Sequence, residues 1–203
     1  MIIMSDTILM PPVASGSIKI GQLLVDPLSP DVDSYHNEND ALPLRVPTTQ
    51  TEFEETIHCD DAGRFIGRQF HSSKENSVLV QADQMSYTTL RDPLSAFRYT
   101  SRRASSQAYL HQAALRRQPL YYVTAIQTLS NPRFTDDYPG SATPPRPQIR
   151  RQDSGISLNE QDDNVILGLE LRKVYCRVAS PEEPQRPSDV GYAYKNYALL
   201  GGR

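Results

Sequence analysis

Two cysteines, Cys59 and Cys176, are too few to staple a fold, and they lie at no spacing that would hold a metal. Both read as reduced thiols packed like small hydrophobes. No apolar run approaches the roughly 20 residues that a membrane-spanning helix needs. The opening, MIIMSDTILMPPVASG, has neither a basic segment nor an unbroken apolar stretch, so it does not read as a signal peptide. These absences lead to the expectation of a cytoplasmic chain. Hydrophobic residues are scarce too, at 38% of 203 residues against roughly 45–50% in ordinary domains. With 16 prolines, part of the chain is expected to stay unpacked. The rest is long enough for one core.

Catalytic signatures are also missing. None of the four histidines, His36, His58, His71 and His111, has a ligand partner one helical turn away, so no zinc site is expected. There is no nucleophile elbow and no Gly-rich phosphate loop. Asp60-Asp61 precedes Ala62-Gly63 and reads as a turn. The expectation is a protein that is not an enzyme and holds no cofactor or metal. Arg150-Arg151-Gln152-Asp153-Ser154-Gly155 has the pattern of a basophilic kinase site, where a phosphate on Ser154 would alter a basic loop.

What is present is an uneven charge. Residues 1–90 carry 5 basic and 13 acidic side chains, whereas residues 91–151 carry 10 arginines and 3 aspartates. The remainder is close to balanced, and the whole chain stands at −3. An arginine-rich centre fits an anionic partner such as phospholipid, nucleic acid or phosphate. It equally fits a solvated helix face balanced by the acidic first third.

Residues 1–16 read as a flexible lead, and 17–203 as a single domain. Ser17 to Val25 reads as a short strand or strand-to-helix turn closed by Asp26-Pro27, and 33–50 as a loop. Phe53 to Phe70 reads as a strand pair or a bent strand around 60–63, with Arg64, Ile66, Arg68 and Phe70 on one face. Ser77 to Asp83 reads as a strand with Val78, Val80 and Ala82 on one face. Residues 93–117 read as one helix, capped by Asp92, entered through Pro93 and stopped by Pro119. Leu94 and Phe97 make an apolar pair on it. Leu120 to Leu129 and Val165 to Tyr175 are the two clearest strands. In the second, Leu167, Leu169 and Leu171 should face one way and Gly168, Glu170 and Arg172 the other. Residues 130–163, rich in Pro, Ser, Asp and Arg, read as a disordered loop joining these two strands as neighbours.

The order of these pieces resembles the gasdermin pore-forming domain, and within it the short fungal, regulator-of-cell-death-like members. The likeness runs over about residues 17–178. It rests on Ile18-Lys19-Ile20-Gly21-Gln22-Leu23-Leu24 leading to Pro27, then Pro30-Asp31-Val32. It rests also on a helix ending Ala114-Leu115-Arg116-Arg117, followed by Leu120-Tyr121-Tyr122-Val123-Thr124-Ala125-Ile126-Gln127-Thr128 and by the strand from Val165 to Val178. The resemblance implies an α+β fold with a twisted, mostly antiparallel sheet and a few packed helices. It implies a protein that is cytoplasmic when soluble and moves to the cell membrane when active. There it would bind acidic phospholipids of the inner leaflet, form a homo-oligomer, with a related hetero-partner as one form, and insert β-hairpins that lyse the cell. Its lipid-contacting basic positions match Arg116 and Arg117; Arg102 and Arg103 join them on charge alone. The family's basic amphipathic first helix has no counterpart in residues 1–16, nor its inhibitory second domain after Arg203, so a truncated or partner-dependent form is within the reading. The competing reading is an interaction module without lytic activity, drawn from the Pro-rich segments such as Pro144-Pro145-Arg146-Pro147. An RNA-binding reading rests only on arginine and tyrosine counts and lacks an aromatic RNP-like motif, so no nucleic-acid partner is expected.

Overall fold

A computed structural model describes residues 7–27, 29, 32–37, 41–59, 65–67, 76–136, 164–178 and 190–194. Along the chain run β1 (Thr7–Ala14), β2 (Leu23–Leu24), β3 (Ser34–Tyr35), β4 (Thr48–Cys59), β5 (Phe65–Gly67) and β6 (Asn76–Thr89). Two helices follow, α1 (Pro93–Ser101) and α2 (Ala104–Leu115). Then come β7 (Leu120–Ser130), β8 (Arg133–Asp136), β9 (Asn164–Val178) and β10 (Val190–Tyr194). The class is α+β. The sheet is antiparallel in every described pair, in the order β1-β9-β7-β6-β4-β5. Strand β10 extends along β9, β8 along β6, and β2 pairs with both β3 and β7.

The central strand is β7, whose run of β-branched and aromatic residues suits burial on both faces. Residues Tyr122 to Gln127 are all buried. Toward one side, Leu120 and Tyr122 join Leu23, Leu90 and Val174 beneath Phe97, Leu110 and Ala113 of the helices. Further along that side, Ala125 and Leu129 meet Phe53, Ile57, Val80, Met85 and Leu167. That second cluster is built entirely from strands, because the sheet curls until its first and last strands, β1 and β5, come together. On the other side Leu9, Val13, Ile18 and Leu24 cover Val123, Ile126, Ile166, Leu169 and Leu171.

The curl has a local cause. The ladder between β4 and β6 skips Glu52 and Asp83, which fall between the pairs Thr51–Gln84 and Phe53–Ala82, and Asn131 falls between the stretches of β7 and β8 that pair with β6 on either side of Asp83. Glu52 has φ 53° and Asn131 φ 50°, both left-handed. Buried positions on β6 change phase there, from Val78, Val80 and Ala82 to Met85 and Tyr87. The row is therefore a crease across neighbouring strands, of the kind a bulge makes. Asn131 Nδ2 and Arg133 Nη2 each donate to the Asp83 carboxylate at 2.9 Å and hold it.

Several expectations are corrected. Residues 7–14 of the supposed flexible lead form β1, paired with β9. Its Pro11-Pro12 is tolerated because the pairing with β9 is interrupted between Ile8 and Val13, on a strand that ends the order, so neither missing N–H costs a ladder bond. Within 17–25 only Leu23–Leu24 is strand, and the 33–50 loop contains β3 and the start of β4. Strand β6 runs six residues past Asp83, since the crease lets it continue. The single helix over 93–117 is two helices, broken at Arg102-Arg103. Phe97 is buried but Leu94 is 38% exposed, so they do not form a pair on the core face. Leu167 is an extra residue on β9 between the partners of Gln127 and Thr128. It faces the strand-built cluster, while Leu169 and Leu171 face the other way. Of the expected disordered loop over 130–163, Arg133–Asp136 is β8. Residues 137–163, Ser154 and Arg146, Arg150 and Arg151 with them, lie outside the described residues, as do Arg64, Arg68, Phe70 and His71.

The start of α1 is as the sequence expects. Asp92 Oδ1 accepts from the backbone N–H of Leu94 and Ser95, each at 3.1 Å, and Ser95 Oγ donates to Asp92 Oδ2 at 2.7 Å. The Ser95 hydroxyl first, then the Ser95 and Leu94 amides, hold the Asp92 carboxyl below its ordinary pKa of 3.8. The folded state favours the ionised form, so its contribution is full above the ordinary value and is lost as pH falls through the lowered one. The melting temperature of Asp92→Ala should therefore lie below that of the native chain at about pH 6, with the gap closing as the pH drops below about 3.8. A pH-independent gap would show that capping is not what Asp92 contributes.

Candidate functional site

From Pro93 to Thr135 the chain has no acidic residue, and residues 93–118 hold five arginines: Arg98, Arg102, Arg103, Arg116 and Arg117. The structure turns this stretch into a helical layer on one side of the sheet. Its inner face is fixed by Phe97, whose ring meets Tyr122 edge-on at 5.2 Å, and by Thr100 Oγ1, 3.4 Å from the Tyr122 hydroxyl. Ser106, Leu110 and Ala113 bury the inner face of α2. The outer face of α2 carries Ala104, Ala108, Gln112 and Leu115, all exposed and uncharged. Leu94, Tyr99 and Leu115 are 38%, 48% and 55% exposed, so the layer shows water both cations and sizeable apolar groups.

The four arginines singled out in the sequence do not gather at one point. Arg102 ends α1 and Arg103 precedes α2, while Arg116 and Arg117 follow the last turn of α2. Twelve residues of helix separate the pairs by about 18 Å. They bracket the uncharged stripe, one pair at each end, and all four are exposed.

Their local energetics differ. Arg116 and Arg117 sit where the carboxyl end of the helix dipole favours cations. Arg103 occupies the N-cap of α2, where the dipole disfavours a cation and no side chain caps the helix. Its guanidinium instead donates to the Tyr99 hydroxyl and lies 4.8 Å from the Tyr99 ring centroid. Arg117 has φ 55°, a left-handed position after the helix that glycine fills without strain. Helix stability does not account for Arg103, and at Arg117 the favourable dipole is opposed by the left-handed backbone.

A segment distant in sequence grips the far end of α2. Asp33 Oδ2 lies 3.6 Å from Arg116 Nη1 and accepts from Gln118 Nε2 at 3.3 Å. Tyr109 donates to the Asp33 carbonyl at 2.6 Å, and Tyr35 stacks on Tyr109 at 5.4 Å. Burial first, then the Asp33 charge, push the Tyr109 phenol up to about 12, so it stays a neutral donor. No sequence signal linked Asp33 to Arg116. Exposed Leu94, Tyr99 and Leu115 were also missed, because helical spacing alone does not say which apolar residues face out.

A second polar arrangement lies in the sheet. Tyr87 donates to Glu170 Oε2 at 2.6 Å, and Arg172 Nη2 to Glu170 Oε1 at 3.2 Å. Gln127, only 1% exposed, lies opposite Tyr87. Glu170 and Arg172 thus form a largely buried ion pair on β9. Among the described residues no three His, Cys, Asp or Glu side chains cluster as metal ligands, and no helix is long and apolar enough to cross a membrane. Compared with models of known protein families and with curated proteins, the chain matches none.

Proposed function

We propose that this chain is a gasdermin-like, membrane-binding protein that uses the α1–α2 layer to engage acidic phospholipids and then oligomerises and inserts β-hairpins. The observation that carries this is the helical layer, whose own residues 93–118 hold no acid, with arginine pairs at both ends of the exposed uncharged stripe of α2 and with exposed Leu94, Tyr99 and Leu115 on the same two helices. Cations near an anionic leaflet contribute about 1 kcal/mol each, and apolar side chains add interfacial burial.

The strands are compatible with insertion. A tilted membrane strand needs about 9–11 residues. Strands β4 and β6 have 12 and 14 residues and pair along their length, and β7 and β9 have 11 and 15. These two long pairs flank the helical layer in sequence, and a closed barrel would satisfy backbone groups that hydrocarbon cannot.

Sedimentation with vesicles, with and without phosphatidylserine, tests the lipid step; dye release from the same vesicles tests the pore. The expected result is binding and release only with the acidic lipid. Equal binding to neutral vesicles, or none, sinks the lipid reading. Binding without release would favour an interaction module that lacks lytic activity.

A further inference from the structure

The turn between the two helices carries a pattern that membrane binding does not use. In Arg102-Arg103-Ala104-Ser105, two arginines stand three and two residues before a serine. Basophilic serine kinases take such a pair into an acidic cleft, because guanidinium forks match carboxylates. Ser106, the next hydroxyl along, is 0% exposed, so Ser105 is the acceptor that a kinase can reach.

The fold presents this pattern at the surface. Arg102 closes α1, Arg103 is extended at φ −71° and ψ 137°, and Arg102, Arg103, Ala104 and Ser105 are all exposed. The pattern straddles the break between the helices. Only the first turn of α2 has to open for it to enter a kinase cleft, and helix ends are the parts that fray.

The same turn is suited to hold a phosphate once it is attached. Ser105 is the second residue of α2, a helix that starts with no side-chain cap and no acidic residue in its first turn. Such an end favours an anion. A phosphate there brings about 1.5–2 negative charges. The Tyr35 hydroxyl, 2.6 Å from Ser105 Oγ, stands ready as a donor, and Arg102 and Arg103 precede it.

We infer that Ser105 is a phosphorylation site for a basophilic serine kinase, and that the phosphate switches off the cationic end of the helical layer formed by Arg102 and Arg103. The switch rests on the membrane role proposed for that layer; the site does not. In the step itself the γ-phosphoryl of ATP passes to Ser105. The Oγ–P bond forms, the bond from the γ-phosphorus to the ADP oxygen breaks, and the hydroxyl proton is released.

Incubating the folded full chain with ATP and cyclic-AMP-dependent protein kinase, as a basophilic probe, tests the site by mass mapping. Phosphate is expected on Ser105, at a rate at least tenfold lower in Arg102→Gln/Arg103→Gln. The phosphorylated chain should bind phosphatidylserine vesicles about tenfold to thirtyfold more weakly than the unmodified chain. It should melt no lower, since the phosphate lies at the positive end of the helix dipole. Ser105→Ala treated identically should keep native vesicle affinity, which sets aside any phosphate on Ser154. No phosphate on Ser105 of the folded chain, or phosphate there only after heat unfolding, would overturn the site. Full vesicle affinity after modification, or lost affinity with a melting temperature several degrees lower, would overturn the switch. An unmodified chain that binds no vesicles would defeat the membrane reading and the switch with it, while phosphate on Ser105 would still establish the site.

Discussion

Arg116→Glu/Arg117→Glu should lose two to three orders of magnitude in affinity for phosphatidylserine vesicles. Each arginine near an anionic surface contributes about 1 kcal/mol, and each reversal replaces attraction with a comparable repulsion. Two reversals therefore amount to about 4 kcal/mol, and each 1.4 kcal/mol is a factor of ten. The ion pair with Asp33 does little to shield Arg116, whose side chain remains 60% exposed at 3.6 Å. The loss should shrink as salt rises, since exposed charges are screened beyond roughly 8–10 Å in physiological buffer. Arg117→Gly supplies the control for a purely structural role. Glycine relieves the left-handed strain at φ 55°, so the chain should become more stable by about 0.5 kcal/mol. Vesicle affinity should nonetheless fall about fivefold, the effect of one lost cation. Vesicle titration beside thermal melts reads both quantities. A variant that gained stability and kept full affinity would show that Arg117 does not face lipid.

The elements legible in the sequence are those whose residues agree at every level. Leu120 to Leu129 is β-branched and aromatic, sits between Pro119 and Asn131-Pro132, and forms β7 within a residue of its expected ends. Its antiparallel pairing with the strand after Val165 follows, although a long segment separates them. Asp92-Pro93 announced a helix start, because an acidic cap and a preset φ act locally. What stayed hidden depends on contacts between distant residues. Arg102-Arg103 breaks the helix without glycine or proline. The paired irregularities at Thr124 on β7 and Leu167 on β9 place one extra residue on each strand in turn, and strict alternation cannot show that. The crease through Glu52, Asp83 and Asn131 exists only once β4, β6 and β7 lie side by side. The arginines of the candidate surface were legible as a cluster of charge. Their division between the two ends of α2 was not, because it depends on where the helix begins.

Phe97→Ala should cost about 3–5 kcal/mol of stability, the usual range for deleting a buried phenylalanine ring. Phe97 is 3% exposed, and its ring meets Tyr122, which is fully buried in the central strand. The cavity would open between α1 and the sheet, where Ala96, Leu110 and Ala113 are held by the helices and cannot move in without shifting them. For a chain of this size the melting temperature should fall by roughly 10 °C. Leu94→Ala, three residues earlier on the same helix, should leave the melting temperature nearly unchanged, because Leu94 is 38% exposed. Its effect should fall on vesicle binding instead, where losing an apolar contact weakens interfacial burial by a few fold. The two substitutions thus separate the face of α1 that attaches the layer to the sheet from the face offered to a membrane. Thermal melts and vesicle titrations of both variants decide the matter. A large stability loss in Leu94→Ala with none in Phe97→Ala would mean that α1 is rotated about its axis from the orientation described, and that the proposed membrane face is the buried one.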